Sequence, residues 1–199
     1  MKKPTATICL TIAVLLGSAG LSWSADFKKG QTAYKIGDYA TALREWKPLA
    51  EKGNAIAQSN LGWMYAQGQG VPQNHKTAVK WYKLAAEQGD AVAQSYLGVM
   101  YEEGKGVPQD YKTAVKWYKL AAEQGNADAQ YNLGNAYERG QGVIQDFVYA
   151  YMWWNIAASS GDKSATKNRD IVAKRMTPAD LSTAQKLARE CVRKKYKGC

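Results

Sequence analysis

Side chains able to do acid–base, nucleophilic or metal chemistry are sparse in this chain. His75 is its single histidine, so a Ser/His/Asp or Cys/His arrangement could only be assembled there. It follows the capping residue Asn74, and the residues in register with it at multiples of 36 positions are Tyr39, Tyr111 and Phe147. The reading is a lone surface histidine. Ser160-Gly-Asp-Lys163 has the spacing of a serine nucleophile with a lysine base, which must share one helical turn. Gly161 sits where a helix should end, and the SDN and KTG partners of that chemistry are missing. Gly68-Gln-Gly70 and its copies lack the third glycine and the strand of a dinucleotide loop, and no GxxxxGK[ST] occurs. No cysteine–histidine cluster offers a metal site. The expectation is a protein that is not an enzyme and uses no cofactor.

Positive charge, by contrast, recurs on a period. Arg44, Lys80 and Lys116 form one row; Lys47, Lys83 and Lys119 a second; Lys76 and Lys112 a third. Lys76, Lys80 and Lys83 follow i, i+4, i+7 spacing, so they share one face of a helix, and stacked copies would give a basic ladder. At the next register the ladder stops, at Val148, Met152 and Asn155. A partner with acidic groups followed by an apolar patch suits such a face. The competing reading is a solvated face, because Lys47–Glu51, Lys83–Glu87 and Lys119–Glu123 are i, i+4 pairs.

The elements that hold these rows are repeats. Asp110–Gly125, DYKTAVKWYKLAAEQG, nearly duplicates Asn74–Gly89, NHKTAVKWYKLAAEQG, and further copies run over Asp38–Gly53 and Asp146–Gly161. The second halves repeat too: NAIAQSNLGWMYAQGQGVPQ, DAVAQSYLGVMYEEGKGVPQ, NADAQYNLGNAYERGQGVIQ. A fixed period of this length marks a solenoid in which each unit buries its apolar face against its neighbours. Each unit reads as two antiparallel helices, for example His75 to Gln88 capped by Asn74, and Ala91 to Glu103 capped by Asp90. Gly53, Gly89, Gly125 and Gly161 are expected where the chain reverses and a Cβ would be in the way. Aligned small residues, including Gly62, Gly98 and Gly134, let helices approach closely. Trp46, Tyr82, Tyr118 and Trp154 fill the space between repeats, with Tyr65, Tyr101 and Tyr137 as a second row. The fold class is therefore an all-α superhelical solenoid with repeats at 38–73, 74–109, 110–145 and 146–176.

The two ends differ. Residues 1–24 read as a signal peptide, with Lys2 and Lys3 before the short apolar run Ile8–Leu16 and a cleavage zone ending near Ser24. Residues 25–37 read as an N-terminal capping helix. In the fourth repeat Arg169 and Asp170 replace the leucine and glycine rows, so the packing face is expected to be abandoned. Thr177-Pro-Ala-Asp180 opens a C-terminal capping helix within 177–199, with Leu181, Ala184, Leu187, Ala188 and Cys191 along one side. It should hold the Arg193–Lys195 segment at its exposed end. Export leaves Cys191 and Cys199, either as an internal disulfide or as one core thiol and one loose one. The net charge of +10 is local: residues 25–162 hold 14 basic and 14 acidic groups, residues 163–199 hold 11 against 3. Anionic polymers would therefore be attracted mainly by Lys186, Arg189, Arg193, Lys194, Lys195 and Lys197.

The skeleton AxxWYxxAAEQGxAxAQxxLGxxYxxGxGV over Asp38–Asp162 resembles the Sel-one-like repeat, a relative of the tetratricopeptide repeat. That resemblance implies a right-handed α–α superhelix whose first helices line the concave side and contact proteins, in bacteria often in exported proteins. It points to a periplasmic or secreted scaffold with a protein or peptide partner, acidic if the ladder is used, with no nucleic acid and no stable membrane insertion. Oligomeric state stays open. Some cysteine-rich relatives bind or weakly hydrolyse β-lactams. That alternative rests on Ser160 and Lys163 alone, and the cysteine pair per repeat of those relatives is absent. The third reading is an electrostatic binder of anionic envelope polymers through the basic C-terminus.

Overall fold

A computed structural model describes residues 27–199. Signal-peptide cleavage near Ser24 lies outside the described residues. Helix α1 covers 27–35. It is followed by α2 (Tyr39–Glu51), α3 (Ala55–Gln67), α4 (His75–Glu87), α5 (Ala91–Glu103), α6 (Tyr111–Ala122), α7 (Ala127–Arg139), α8 (Phe147–Ser159), α9 (Lys163–Ala173) and α10 (Pro178–Arg193). There is no strand among the described residues, and consecutive helices pack on one another from α2 to α9. The all-α solenoid expected from the period is what the chain forms.

Local signals set the helix starts. Asp38, Asn54, Asn74, Asp90, Asp110, Asn126, Asp146 and Asp162 each accept a backbone N–H of the first turn, satisfying donors that the helix leaves free. Between the two helices of a pair the chain turns at a glycine with φ of +95°, +93°, +85° and +94° at Gly53, Gly89, Gly125 and Gly161. The expectation that a Cβ would be in the way there is corrected. Nothing lies within 4 Å of a Cβ at 53, 89 or 161. The left-handed backbone, which costs other residues about 1–2 kcal/mol, is what selects glycine.

Close approach is decisive elsewhere. A Cβ on Gly62, Gly98 or Gly134 would stand 2.5, 2.4 and 2.4 Å from the rings of Tyr82, Tyr118 and Trp154. The aromatic of one repeat thus lies directly on the helix backbone of the repeat before it. The same pairing already occurs at the N-terminal helix, because a Cβ on Gly30 of α1 would stand 2.5 Å from the Trp46 ring. The four-residue-shorter connection between α1 and α2 hides this glycine from a 36-residue alignment.

A second repeated device went unassigned in the sequence. Gln58, Gln94 and Gln130 are buried, and their amides donate to the Ala50, Ala86 and Ala122 carbonyls. Gln88 and Gln124 of the next repeats then donate to the Gln58 and Gln94 side-chain oxygens at 2.7 and 2.8 Å. In the fourth repeat Ser160 stands where that glutamine would be, and Gln130 Oε1 has no partner. The AxAQ element of the repeat is this ladder of amides.

The fourth repeat keeps more of its packing face than its sequence suggests. Ala165 and Val172 of α9 are buried at 0% and 1%, continuing the rows of Ala57, Ala93 and Ala129 and of Met64, Met100 and Ala136. The leucine and glycine rows end at Arg169 and Asp170, which pair with one another at 2.8 Å. Helix α10 does not continue the stack on α9. It crosses onto α8, where Ala184, Ala188 and Cys191 are buried.

Candidate interaction surface

The exposed face of the first helices α2, α4 and α6 carries the predicted rows. Arg44, Lys47, Lys76, Lys80, Lys83, Lys112, Lys116 and Lys119 are all exposed. The neutralisation expected within the helices is mostly unmade. Lys83 approaches Glu87 at 3.9 Å, and Arg44 lies 3.5 Å from Glu45. Among the described residues the other six lysines form no ion pair. Glu123, expected to pair with Lys119, accepts the Gly198 backbone N–H at 3.3 Å instead.

Between the lysines runs an apolar stripe that the sequence reading did not single out. Trp81 and Trp117 are half-buried, and Leu84 and Leu120 remain 45% and 46% exposed. In α2 the tryptophan position is Glu45, whose carboxyl is held below the usual range by hydrogen bonding to Lys29, 2.7 Å away. At the other end the same stripe is covered. Met152, Trp153 and Ile156 of α8 occupy the positions of Lys80, Trp81 and Leu84, and they are 2%, 2% and 1% exposed. Ala188 and Cys191 of α10 share their core cluster, with Leu187 packed against it. The apolar patch expected to meet a partner beyond the ladder is therefore corrected: the chain's own C-terminal helix occupies it.

The tail that follows α10 is tied down rather than projecting. Lys195 and Tyr196 take positive φ, 52° and 66°, and the Tyr196 N–H returns to the Cys191 carbonyl at 2.9 Å. Cys191 and Cys199 form a disulfide with Cα atoms 5.6 Å apart. Tyr196 packs against the core cluster and lies beside Gly125, so the chain ends on the turn after α6. Lys186, Arg189, Arg193, Lys194, Lys195 and Lys197 nevertheless all point to solvent.

The remaining chemistry is placed as follows. Ser160 caps the C-terminus of α8 and Lys163 begins α9, with Gly161 in the left-handed region between them, so they share no helical turn. His75 is half-buried, and its Nδ1 is fully enclosed without a hydrogen-bond partner; it is not the free surface side chain the sequence implied. Among the described residues no group of three or more His, Cys, Asp or Glu could hold a metal. No helix among them is long and apolar enough to cross a membrane.

Comparison with known proteins places this geometry. A family model for the Sel1 repeat matches residues 55–90, 91–126 and 127–162, its frame starting on the second helix of each pair. The fold is similar to that of a Sel1 repeat protein from Oxalobacter formigenes, at 36% identity and a TM-score of 0.70 over 73% of this chain and 58% of that one. It is also similar to a protective antigen of uropathogenic Escherichia coli strains displaying an SLR fold, at 29% identity and 0.62 over 90% and 48%. Cysteine-rich protein B of Helicobacter pylori shares the fold alone, at 20% identity and 0.54 over 64% of this chain and 95% of that one. The chain thus spans about half the length of the first two. No curated protein matches the sequence. The Sel1 repeat fold is in general a scaffold for protein–protein contacts, and its family is typically non-enzymatic. Three tandem repeats matched over more than half of the 199 residues make this chain a member of the Sel1 repeat family.

Proposed function

We propose that the protein is an exported scaffold of the bacterial envelope, periplasmic or secreted, that holds an acidic protein segment against the outward face of α4 and α6. The observation that carries this reading is the docking of α10. An amphipathic helix already sits on Met152, Trp153 and Ile156, and the two preceding repeats present the same register uncovered, as Lys80–Trp81–Leu84 and Lys116–Trp117–Leu120. Where α8 has methionine these have lysine, so the apolar stripe would bury a helix or extended segment while the lysines select carboxylates beside it. Likeness to a protein described as a protective antigen supports export and contact with a host, and a role in envelope assembly or signalling fits the same surface.

The experiment is capture of partners by residues 25–199 from an envelope extract at low and physiological salt. Reversing charge at Lys80 and Lys116 is expected to abolish capture while leaving the fold intact. Capture unchanged by both reversals contradicts the assignment of this face.

The exposed basic side of α10 favours a second reading, attraction to anionic envelope polymers. Binding of that kind falls steeply with salt and would be lost on truncation before Arg193, which separates it from the first. The β-lactam alternative has no support in the placement of Ser160 and Lys163 on two different helices.

A further inference from the structure

Two departures from the repeat pattern fall beside each other on the second helices. The residues in register with Tyr96 are Asn60, Asn132 and Asn168, and those in register with Trp63 are Val99, Asn135 and Ile171. The other repeats therefore close their packing with no aromatic at either position. The structure brings these two rings together, with centroids 5.0 Å apart, and both stay half-buried. They border a cavity of about 330 Å³, within the range of about 300–1,000 Å³ usual for small-molecule sites. Tyr34 of α1 and the buried Trp46, whose ring centroids are 5.5 Å apart, complete its aromatic wall. Three of the four rings have their polar atoms engaged. Trp63 Nε1 donates to Tyr34 Oη at 2.6 Å, Tyr34 Oη to Gln69 Oε1 at 2.7 Å, and Trp46 Nε1 to the Phe27 carbonyl. That network holds the wall in place, and what Tyr34 and Trp63 have left to offer is ring surface.

We propose that this cavity binds the ring of a pyranose sugar, as one unit of a glycan. The lining selects that class. Gln31 and Lys35 are exposed and Asn60 is half-buried, so the cavity is reached from solvent past two carboxamides and one ammonium group. No carboxylate lines it, and Lys35 is its only charged residue. A cationic ligand would therefore meet repulsion, with nothing to offset the loss of its hydration. A single exposed lysine is no clamp for an anion either. An uncharged ligand with an apolar face and a polar edge matches both parts of the lining. A pyranose has them: its axial C–H bonds form an apolar face that lies on aromatic rings, and its hydroxyls donate and accept at the edge. Carboxamides also do both, so they pair with hydroxyls in either sense, and the Asn60 side chain makes no hydrogen bond among the described residues. The lysine rows take no part, since every exposed or half-buried residue of the lining lies on α1, α3 or α5.

The test follows the indole N–H signals of residues 25–199 by NMR while N,N′-diacetylchitobiose, cellobiose and maltose are added separately. Mannitol, which has the hydroxyls but no ring face, N-acetyl-phenylalanine amide and tetramethylammonium chloride serve as controls. The expected result is saturable movement of the Trp63 signal, identified by its loss in Trp63→Val, with at least one of the three sugars and with none of the controls. Tyr96→Asn installs the residue that the other three repeats use at this position, so the repeat packing tolerates it. It should weaken sugar binding about tenfold, the loss of one stacked ring. Trp63→Val, which installs the residue of the next repeat, should show a similar loss by calorimetry. Movement with mannitol equal to that with the sugars, saturation by the phenylalanine or ammonium probe in place of a sugar, no response to any of the three sugars, or a sugar affinity unchanged in either variant overturns the proposal.

Discussion

Replacing Gly98 by alanine tests how the repeats are held together. In an exposed helix interior the change would stabilise by about 1 kcal/mol, because glycine is the poorer helix former. Here the new methyl carbon would lie 2.4 Å from Tyr118 Cε1, 2.5 Å from Cδ1 and 3.1 Å from Cζ, against the roughly 3.5–4.0 Å at which carbon atoms rest. About 1 Å or more of separation must be found. The Tyr118 ring cannot supply it by swinging outward, since it is 1% exposed and its hydroxyl is tied to Glu102. Overpacking of this kind costs about 1–3 kcal/mol, and set against the propensity gain of about 1 kcal/mol the inter-repeat displacement should leave a net loss of up to about 2 kcal/mol. For a chain of this size that is a fall in Tm of up to roughly 8 °C. Thermal and urea denaturation read it directly. In a Tyr118→Leu background the same glycine substitution should cost measurably less, because the clashing ring is gone. A Gly98→Ala variant more stable than the parent, or an equal penalty in both backgrounds, would refute the argument that ring-on-backbone contact sets the repeat spacing.

Three further outcomes follow from the same packing. Gln94→Leu should be more destabilising than Gln130→Leu by about 1 kcal/mol in chemical denaturation, because Gln94 loses its bond to Gln124 as well as the one to the Ala86 carbonyl, whereas Gln130 Oε1 is already unpaired. Cys199→Ser should release the tail from Glu123 and speed amide exchange in α10 and at Met152. The loss expected from opening a loop with a sequence separation of 8 is about 2 kcal/mol. Asp110 is held below the usual carboxylate range by its side-chain hydrogen bond with Thr113, then by the Thr113 and Lys112 backbone N–H groups. A depressed folded-state value means a contribution fully present above the unfolded pKa of about 3.9 and lost as pH falls through the lower folded value. Asp110→Asn, the residue type Asn74 already uses for the same cap, should flatten that part of an acid-unfolding curve while changing stability little at pH 7.

Much of the fold was legible because it is local and repeated. Caps, turns and the glycine–aromatic rows depend on residues that recur every 36 positions, and recurrence separates a packing requirement from chance. The lysine rows were legible for the same reason. What escaped were the departures from the period. Nothing in the α10 sequence says that it leaves α9 and lies on α8, since an amphipathic helix names its apolar side but not its neighbour. The clue was available in α8, where Met152 and Asn155 stand at positions that α4 and α6 fill with lysine, so the Trp153–Ile156 stripe loses its charged border. Likewise Ala66 stands in register with Glu102, the partner of Tyr118, but only the structure shows that the buried Tyr82 hydroxyl is left without a partner among the described residues. Sequence alone makes His75 look isolated, because it cannot show that its Nδ1 is enclosed.

The most direct test of the scaffold account is to compare partner capture by residues 25–199, by the same chain carrying Lys80→Glu and Lys116→Glu, and by a chain truncated before Arg193, at low and physiological salt. The account predicts capture by the parent and by the truncated chain at both salts, and none by the charge-reversed chain. Capture that survives the two reversals but disappears with salt or with the tail would contradict it, and would make the basic C-terminal surface the binding element instead.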